Sequence, residues 1–246
     1  MPVSPAVLCT SSPARSEGPL SGRTVPVPAL DARQRARLLA LMRETYEPVN
    51  PTAFARDLDA KDTALLLEDP SGEIQGFTAL ESRVVDGALI VYSGDTVVAR
   101  AHWTSLALPR HFAAHVFGTL LAAHGGPAYW LLLSGGFRTY RYLPLFFREF
   151  VPRRAAPDPA LLALRDALAG ARFGSRFDAL RGVVTLDAPT PVRPGLGAPD
   201  ARDLADENVR FFCSANPGWQ RGDELAGLAS LSTANLTPAA RRMLRT

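Results

Sequence analysis

The stretch Thr63-Ala64-Leu65-Leu66-Leu67-Glu68, then Asp69-Pro70-Ser71-Gly72, then Glu73 to Leu80, constrains this chain more than any other. Six residues dominated by leucine and bounded by turn formers are too short to stand as a helix. Asp-Pro-Ser-Gly supplies the proline and glycine of a tight turn, so two antiparallel strands follow. Asp86-Gly87 makes a second turn, and Leu89 to Val98 returns as a third strand. An antiparallel meander is therefore the expected centre of the fold.

Helices flank it. Asp31 can cap a helix whose apolar stripe is Leu38, Leu39, Leu41 and Met42, with Arg33, Arg35 and Arg37 opposite. Pro48 and Pro51 end it, and Thr52 opens a shorter helix carrying Phe54 and Leu58. After the meander, Pro109 to about His124 reads as a helix with Phe112, Val116 and Leu120 at four-residue spacing, stopped by Gly125-Gly126. Tyr129 to Leu133 is a buried strand, and Leu143 to Phe150 a further helix starting at Pro144. Beyond Pro152 the pattern gives a helix over Pro159 to Ala171, a strand over Gly182 to Leu186 and a Pro/Gly-rich loop over Ala188 to Pro199. It continues with a helix over Asp200 to Asn208, a strand or helix over Glu224 to Leu231, and a terminal helix over Pro238 to Arg245. The fold class is mixed α/β (α+β), a mostly antiparallel sheet flanked by helices. Its expected divisions are a disordered tail over residues 1–30, a core over 31–153, and a C-terminal part over 154–246 that packs on the core.

The chain has 246 residues, 47% hydrophobic and 21% charged, enough for one domain or two small ones. No apolar run approaches the roughly 20 residues of a membrane helix. Met1 to Pro28 is rich in Pro, Ser and Gly and lacks a basic start leading into an apolar stretch, so it reads as a tail and not as a signal peptide. Cys9 and Cys213 are the two cysteines, too few for a disulfide framework; a cytoplasmic protein is expected.

Charge is unevenly spread. Residues 44–99 sum to −8, while residues 100–154 sum to +6 and contain all four histidines. Of the 27 basic residues only Lys61 is lysine, so the basic pI does not by itself indicate nucleic acid, and the basic segment holds no recognisable recognition motif. Nucleic-acid and membrane partners are not expected.

Several positions stand out chemically. Ser93-Gly94-Asp95-Thr96 interrupts an apolar strand with three hydrogen-bonding side chains and a glycine, either a site or a bulge whose Asp caps a neighbouring turn. Ser134-Gly135-Gly136-Phe137-Arg138 follows a buried strand, where two glycines can shape an anion nest. Arg100, Arg110, Arg138 and Arg141 suit phosphate or carboxylate, or else face solvent. His111 and His115 lie four apart without a third ligand, so no metal is expected. Residues 210–224, from Arg210 to Glu224, read as an ordered aromatic loop in which Asn216 and Asp223 or Glu224 can contact an acceptor amine.

The order helix, helix, three strands, helix, strand, helix, together with the phrase from Ala64 to Leu80, resembles the GNAT acyltransferase superfamily over roughly residues 31–153. That resemblance implies transfer of an acyl group from an acyl-CoA, or from an acyl-carrier protein, to an amine of a small molecule, with no permanently bound cofactor. It implies Asp95 as general base, Tyr140 or Tyr142 as the acid that protonates the leaving thiolate, and Ser93 and Thr96 as lining for the acceptor. It also implies a donor-phosphate site formed by Arg100, Trp103, Arg110, Gly135, Gly136 and Arg138. The family's glycine-rich pyrophosphate loop is replaced here by Arg100-Ala101-His102-Trp103-Thr104-Ser105, in which only the arginine matches. That departure supports a second expectation, a non-catalytic binding module that has lost the donor loop.

Overall fold

Every segment of the expected meander finds its partner. The structure, a computed structural model, describes residues 18–187 and 189–244. The strands are β1 (Ser21–Pro26), β2 (Thr63–Glu68), β3 (Ile74–Val85), β4 (Ala88–Val98), β5 (Ala128–Ser134), β6 (Phe150–Val151), β7 (Phe177–Asp178), β8 (Val183–Val184) and β9 (Glu224–Ser230). They form one sheet in the order β1-β2-β3-β4-β5-β9-β8-β7, with β6 also paired to β9. All neighbours are antiparallel except β4 and β5, which run parallel from Leu89 opposite Ala128 to Ser93 opposite Leu132.

Helices cover both faces. One face carries α1 (Ala32–Thr45), α2 (Pro51–Asp59) and α7 (Pro159–Phe173); the other carries α3 (Ala107–His115), α4 (Leu121–His124), α5 (Phe137–Tyr140), α6 (Tyr142–Phe146), α8 (Glu207–Ala215) and α9 (Pro238–Met243). Strand alternation produces the two layers. On β4, Ile90 and Tyr92 pack toward α7, while Leu89 and Val91 pack against the opposite helices. Asp31 caps α1 through a capping box with Gln34, and its apolar stripe buries Leu38, Leu41 and Met42 on β2 and β3.

Four expectations need correction. Residues 1–17 lie outside the described residues, as does Cys9, but Ser21–Pro26 is a strand paired along β2, not part of a tail. Its Gly22 lies so close to α3 that a Cβ there would fall 2.3 Å from the His111 ring. The helix over Leu143 to Phe150 is instead the short pair α5 and α6, after which Phe147 bridges to Leu236 and Phe150 joins the sheet. The loop over residues 210–224 is helical in its first part, because Asp206 caps α8 and buries Val209 and Phe212. Finally, the segment expected as a helix over Asp200 to Asn208 is a 3-10 turn, Asp203–Ala205, and α8 starts only at Glu207; the helix from Pro109 is present to His124 and includes a π-helical turn, Val116–Leu120. No helix among the described residues is long and apolar enough to cross a membrane.

Candidate active site

The break in alternation at Ser93 to Thr96 is a β-bulge. Leu80 faces Ser93 and Thr78 faces Thr96, so Gly94 and Asp95 together oppose the single residue Ala79. The extra residue turns Asp95 toward the face of α1, α2 and α7, whereas Ser93 and Thr96 point to the other face. There the Ser93 hydroxyl accepts from Trp130 Nε1 at 2.8 Å, and the Thr96 and Thr78 hydroxyls meet at 2.8 Å. The expected bulge exists, and it points Asp95 to the face of α1, α2 and α7.

Asp95 opens into a cleft of about 1050 Å³. One wall is the end of α1 and the length of α2, with Tyr46 and Asp57. The opposite wall is α7, with Arg172 and Arg176, and the floor includes Glu81, Tyr92, Leu133 and Glu224. Beyond α7, residues 189–191 cross back to the α1 end, where Glu47 donates its backbone N–H to Pro191 at 3.0 Å and Tyr46 bridges Val192.

Three carboxylates converge here. Burial pushes the Asp95 carboxyl up to about 7; Asp57 adds to the rise and the Lys61 ammonium opposes it. Its Oδ2 is buried with no hydrogen-bond partner among the described residues. Glu224, on β9, is pushed up to about 8, again mainly by burial, with Asp95 and Asp57 contributing and Lys61 opposing. Tyr46 and Tyr92 are held well above the ordinary phenol range by burial, with Glu224 reinforcing the rise in both.

Lys61 is the cation of the cluster. Its side chain has no exposed surface, and Nζ donates to Asp57 Oδ2 at 2.6 Å and to the Asp57 carbonyl at 3.1 Å. It lies 5.4 Å over the Tyr92 ring and directly beneath the bulge, where a Cβ on Gly94 would stand 3.2 Å from Lys61 Cε and from the Tyr92 hydroxyl. Gly94 is therefore required for close approach, not for backbone strain. A second cationic group lies across the floor. Glu81 is buried and pairs with both Arg83 and Arg172, and Arg172 stacks 3.7 Å over Tyr92.

Two of the expected arginines meet on Trp103, beyond the end of β4 and on α5. Arg138 stacks 4.4 Å from the Trp103 ring and Arg100 lies 5.9 Å from it, while Trp103 Nε1 donates to the Val98 carbonyl at 2.8 Å. Arg110 lies exposed on α3, apart from this stack. The glycine pair does not form a nest: Gly136 is extended (φ −147°, ψ 154°) and precedes a four-residue helix. Gly135 faces the acidic cleft instead, where a Cβ would meet Glu224 Oε1 at 3.4 Å.

Other expected residues serve the scaffold. Tyr140 donates its hydroxyl to the Pro152 carbonyl at 3.0 Å within a cluster of Phe150, Phe211 and Phe212. Tyr142 lines an apolar cavity on the opposite face. The geometry thus gives neither tyrosine a place beside Asp95. Asn216 is buried and donates to the Asp223 carbonyl at 2.8 Å, pinning the turn before β9. Glu224 alone of that trio lines the cleft. Sequence reasoning missed Asp57, Lys61, Tyr46 and Arg172. Lys61 had a readable cue as the only lysine in the chain; Asp57 and Arg172 sit on helix faces that give no sign of which sheet strand they cover, and Tyr46 follows α1 in an extended bridge to Val192, 146 residues on.

Two helices, a meander, a long helix, a strand and a further helix follow one another as the sequence resemblance implies, and β4 and β5 part after a short parallel pairing. The fold is GNAT-like. No protein-family model matches the sequence, and no curated protein matches it. Among solved structures it is similar to an acyl-CoA N-acyltransferase from Pseudomonas aeruginosa, at 18% identity over 46% of this chain and 78% of that one, TM-score 0.34. An acetyltransferase from Trypanosoma brucei matches at 19% identity over 56% of this chain and 99% of that one, TM-score 0.39. A GNAT family acetyltransferase from Brucella melitensis, in complex with acetyl-CoA, matches at 16% identity over 46% and 75%, TM-score 0.32.

Proposed function

We propose that this chain transfers an acyl group from a thioester donor, an acyl-CoA or a carrier-bound acyl group, to an amine of a small molecule. The observation that carries the reading is a carboxylate aimed by a strand bulge into a large cleft, with one oxygen unpartnered and a proton affinity near neutral. A base works best when its pKa lies near the working pH. Asp95 takes one proton from the attacking ammonium, the amine nitrogen bonds to the thioester carbon, the C–S bond breaks, and the nitrogen's excess proton passes to solvent as the amide forms. Glu224, still protonated at pH 7, returns a proton to the leaving thiolate, whose ordinary pKa of about 8.5 is close to its own. Arg100 and Arg138 hold the donor's phosphates.

The direct test is thiol release from a panel of acyl-CoA and acyl-pantetheine donors with mixed amines. Asp95→Asn is expected to lower it roughly 100-fold or more. No release and no donor binding across the panel would remove the reading. One observation favours a second reading, a binding module without turnover: Trp103 stacks with both arginines and consumes the Val98 carbonyl. Under that reading amines bind the cleft while thiol release is absent, and Trp103→Ala does not restore it.

A further inference from the structure

A strap of chain joins the charged cleft to the Trp103 stack. Its first leg, Pro189 to Arg193, lines the cleft at Pro189, Thr190 and Pro191 and bonds to the end of α1. Glu47 donates its backbone N–H to the Pro191 carbonyl at 3.0 Å, and Arg193 donates its own to the Thr45 carbonyl at 2.8 Å. The Arg193 guanidinium reaches the Arg43 carbonyl at 2.7 Å and the Glu47 carboxylate at 2.8 Å. Pro194 and Gly195, the latter at φ +82°, then fill a tight turn closed by the Leu196 N–H on the Arg193 carbonyl at 3.0 Å. The second leg starts at Leu196, whose carbonyl accepts from Arg138 Nη1 at 3.1 Å.

The two legs are joined by packing. A Cβ on Gly197 would fall 2.8 Å from the Val192 Cβ, with the Trp219 ring 3.3 Å away, and Val192 is the residue that bridges Tyr46 at the cleft wall. A shift of the second leg is therefore passed to the first. The second leg also brings charge to Arg138. Burial lowers the Arg138 proton affinity and Asp203 and Asp200 counter it, while Arg100 and Arg141 deepen the lowering. Asp200 and Asp203 fix each other's turn, Asp203 N–H donating to Asp200 Oδ1 at 2.8 Å and Asp200 N–H to Asp203 Oδ2 at 3.2 Å. Arg100 shares the Trp103 ring, and its side chain has no ion pair among the described residues. The strap's own carbonyl and carboxylates are thus the counter-charge of this stack. Its ties to Arg138, Arg43 and Glu47 are exposed polar contacts, so the strap opens at a lower cost than the whole fold.

We propose that this strap is an intramolecular competitor for the anion that Arg100 and Arg138 bind. While Leu196, Asp200 and Asp203 engage Arg138, the strap lies closed over the cleft; a phosphate group that takes Arg138 releases the second leg, and the first leg follows and opens the cleft. The inference rests on the donor-phosphate assignment in the acyl-transfer reading above. It makes binding of the donor the event that admits the acceptor, and by reciprocity a ligand that needs the open cleft tightens anion binding.

The test is hydrogen exchange of the full chain read amide by amide, with inorganic pyrophosphate and, separately, CoA as the anion, and sodium chloride at equal ionic strength as the control. Either anion is expected to speed exchange of the Glu47 and Arg193 amides together, about ten-fold, and to leave the β3 amides paired with β4 unchanged; chloride is expected to do far less. Arg138→Gln removes the catch, so both amides exchange about ten-fold faster without any anion, and pyrophosphate adds nothing. Arg193→Gln loosens the strap at its other end and is expected to tighten pyrophosphate binding, read by calorimetry. Melting curves establish that each variant is folded, and the wild-type comparison stands without them. Anion binding that speeds neither amide, or wild-type exchange in Arg138→Gln, would overturn the inference and leave acyl transfer intact. Failure of pyrophosphate and of CoA to bind would overturn it together with the donor-phosphate assignment on which it rests.

Discussion

Asp95 and Glu224 hold protons in the folded chain that ordinary carboxyls, with values near 4, release on unfolding. Folding therefore binds protons between about pH 4 and pH 8, and stability declines as pH rises through that window. Asp95→Asn removes part of the slope. Its melting temperature is expected to exceed that of the wild type by more at pH 8 than at pH 5, and to match it only below about pH 4, where the carboxyl is neutral in the unfolded chain as well. An equal advantage at both values would mean that the gain has another cause. Lys61 acts on the same pair in the opposite sense, since its ammonium lowers both proton affinities. Lys61→Met is expected to leave Asp95 protonated at pH 7 and to move the pH–rate profile of thiol release alkaline by on the order of one unit. A loss of rate that no alkaline pH recovers would assign Lys61 to structure alone.

At the scale of elements, close backbone approach sets the register on which the bulge depends. A Cβ on Gly76 would fall 2.9 Å from the Val97 carbonyl across β3 and β4, where no flexible side chain can yield. Gly76→Ala is expected to cost about 1–3 kcal/mol, read by urea titration. The meander and its turns were legible because Asp69-Pro70-Ser71-Gly72 and Asp86-Gly87 announce themselves locally; Gly72 and Gly87 do take positive φ. Asp95 was legible for the same reason, as a polar break in an apolar strand. What could not be read was partnership. Whether Tyr140 faces the cleft depends on the short α5 and on Pro152, twelve residues away, whose carbonyl takes its hydroxyl. Likewise nothing local marks Ser21–Pro26 as an edge strand, since its pairing is with β2 some forty residues on.

For the whole molecule, the uneven charge acquires a location. The −8 segment supplies Asp57, Glu81 and Asp95 to the cleft, and the +6 segment supplies Arg100 and Arg138 to the stack on Trp103. The C-terminal part does more than pack on this arrangement. Strand β9 pairs with β5 from Tyr129 opposite Ser230 to Ser134 opposite Leu225, and it carries Glu224 into the site. Helix α7 covers Tyr92 and Leu131 and contributes Arg172. A chain ending at Arg153 therefore leaves seven-residue β5 as an open edge and uncovers part of both faces of the apolar core. Residues 18–153 alone are expected to show no cooperative thermal transition and no protected β5 amides in hydrogen exchange. A fragment that melts cooperatively with β5 protected would show instead that the GNAT-like half is an independent domain, and that Glu224 reached its place beside Asp95 as an addition to a finished fold.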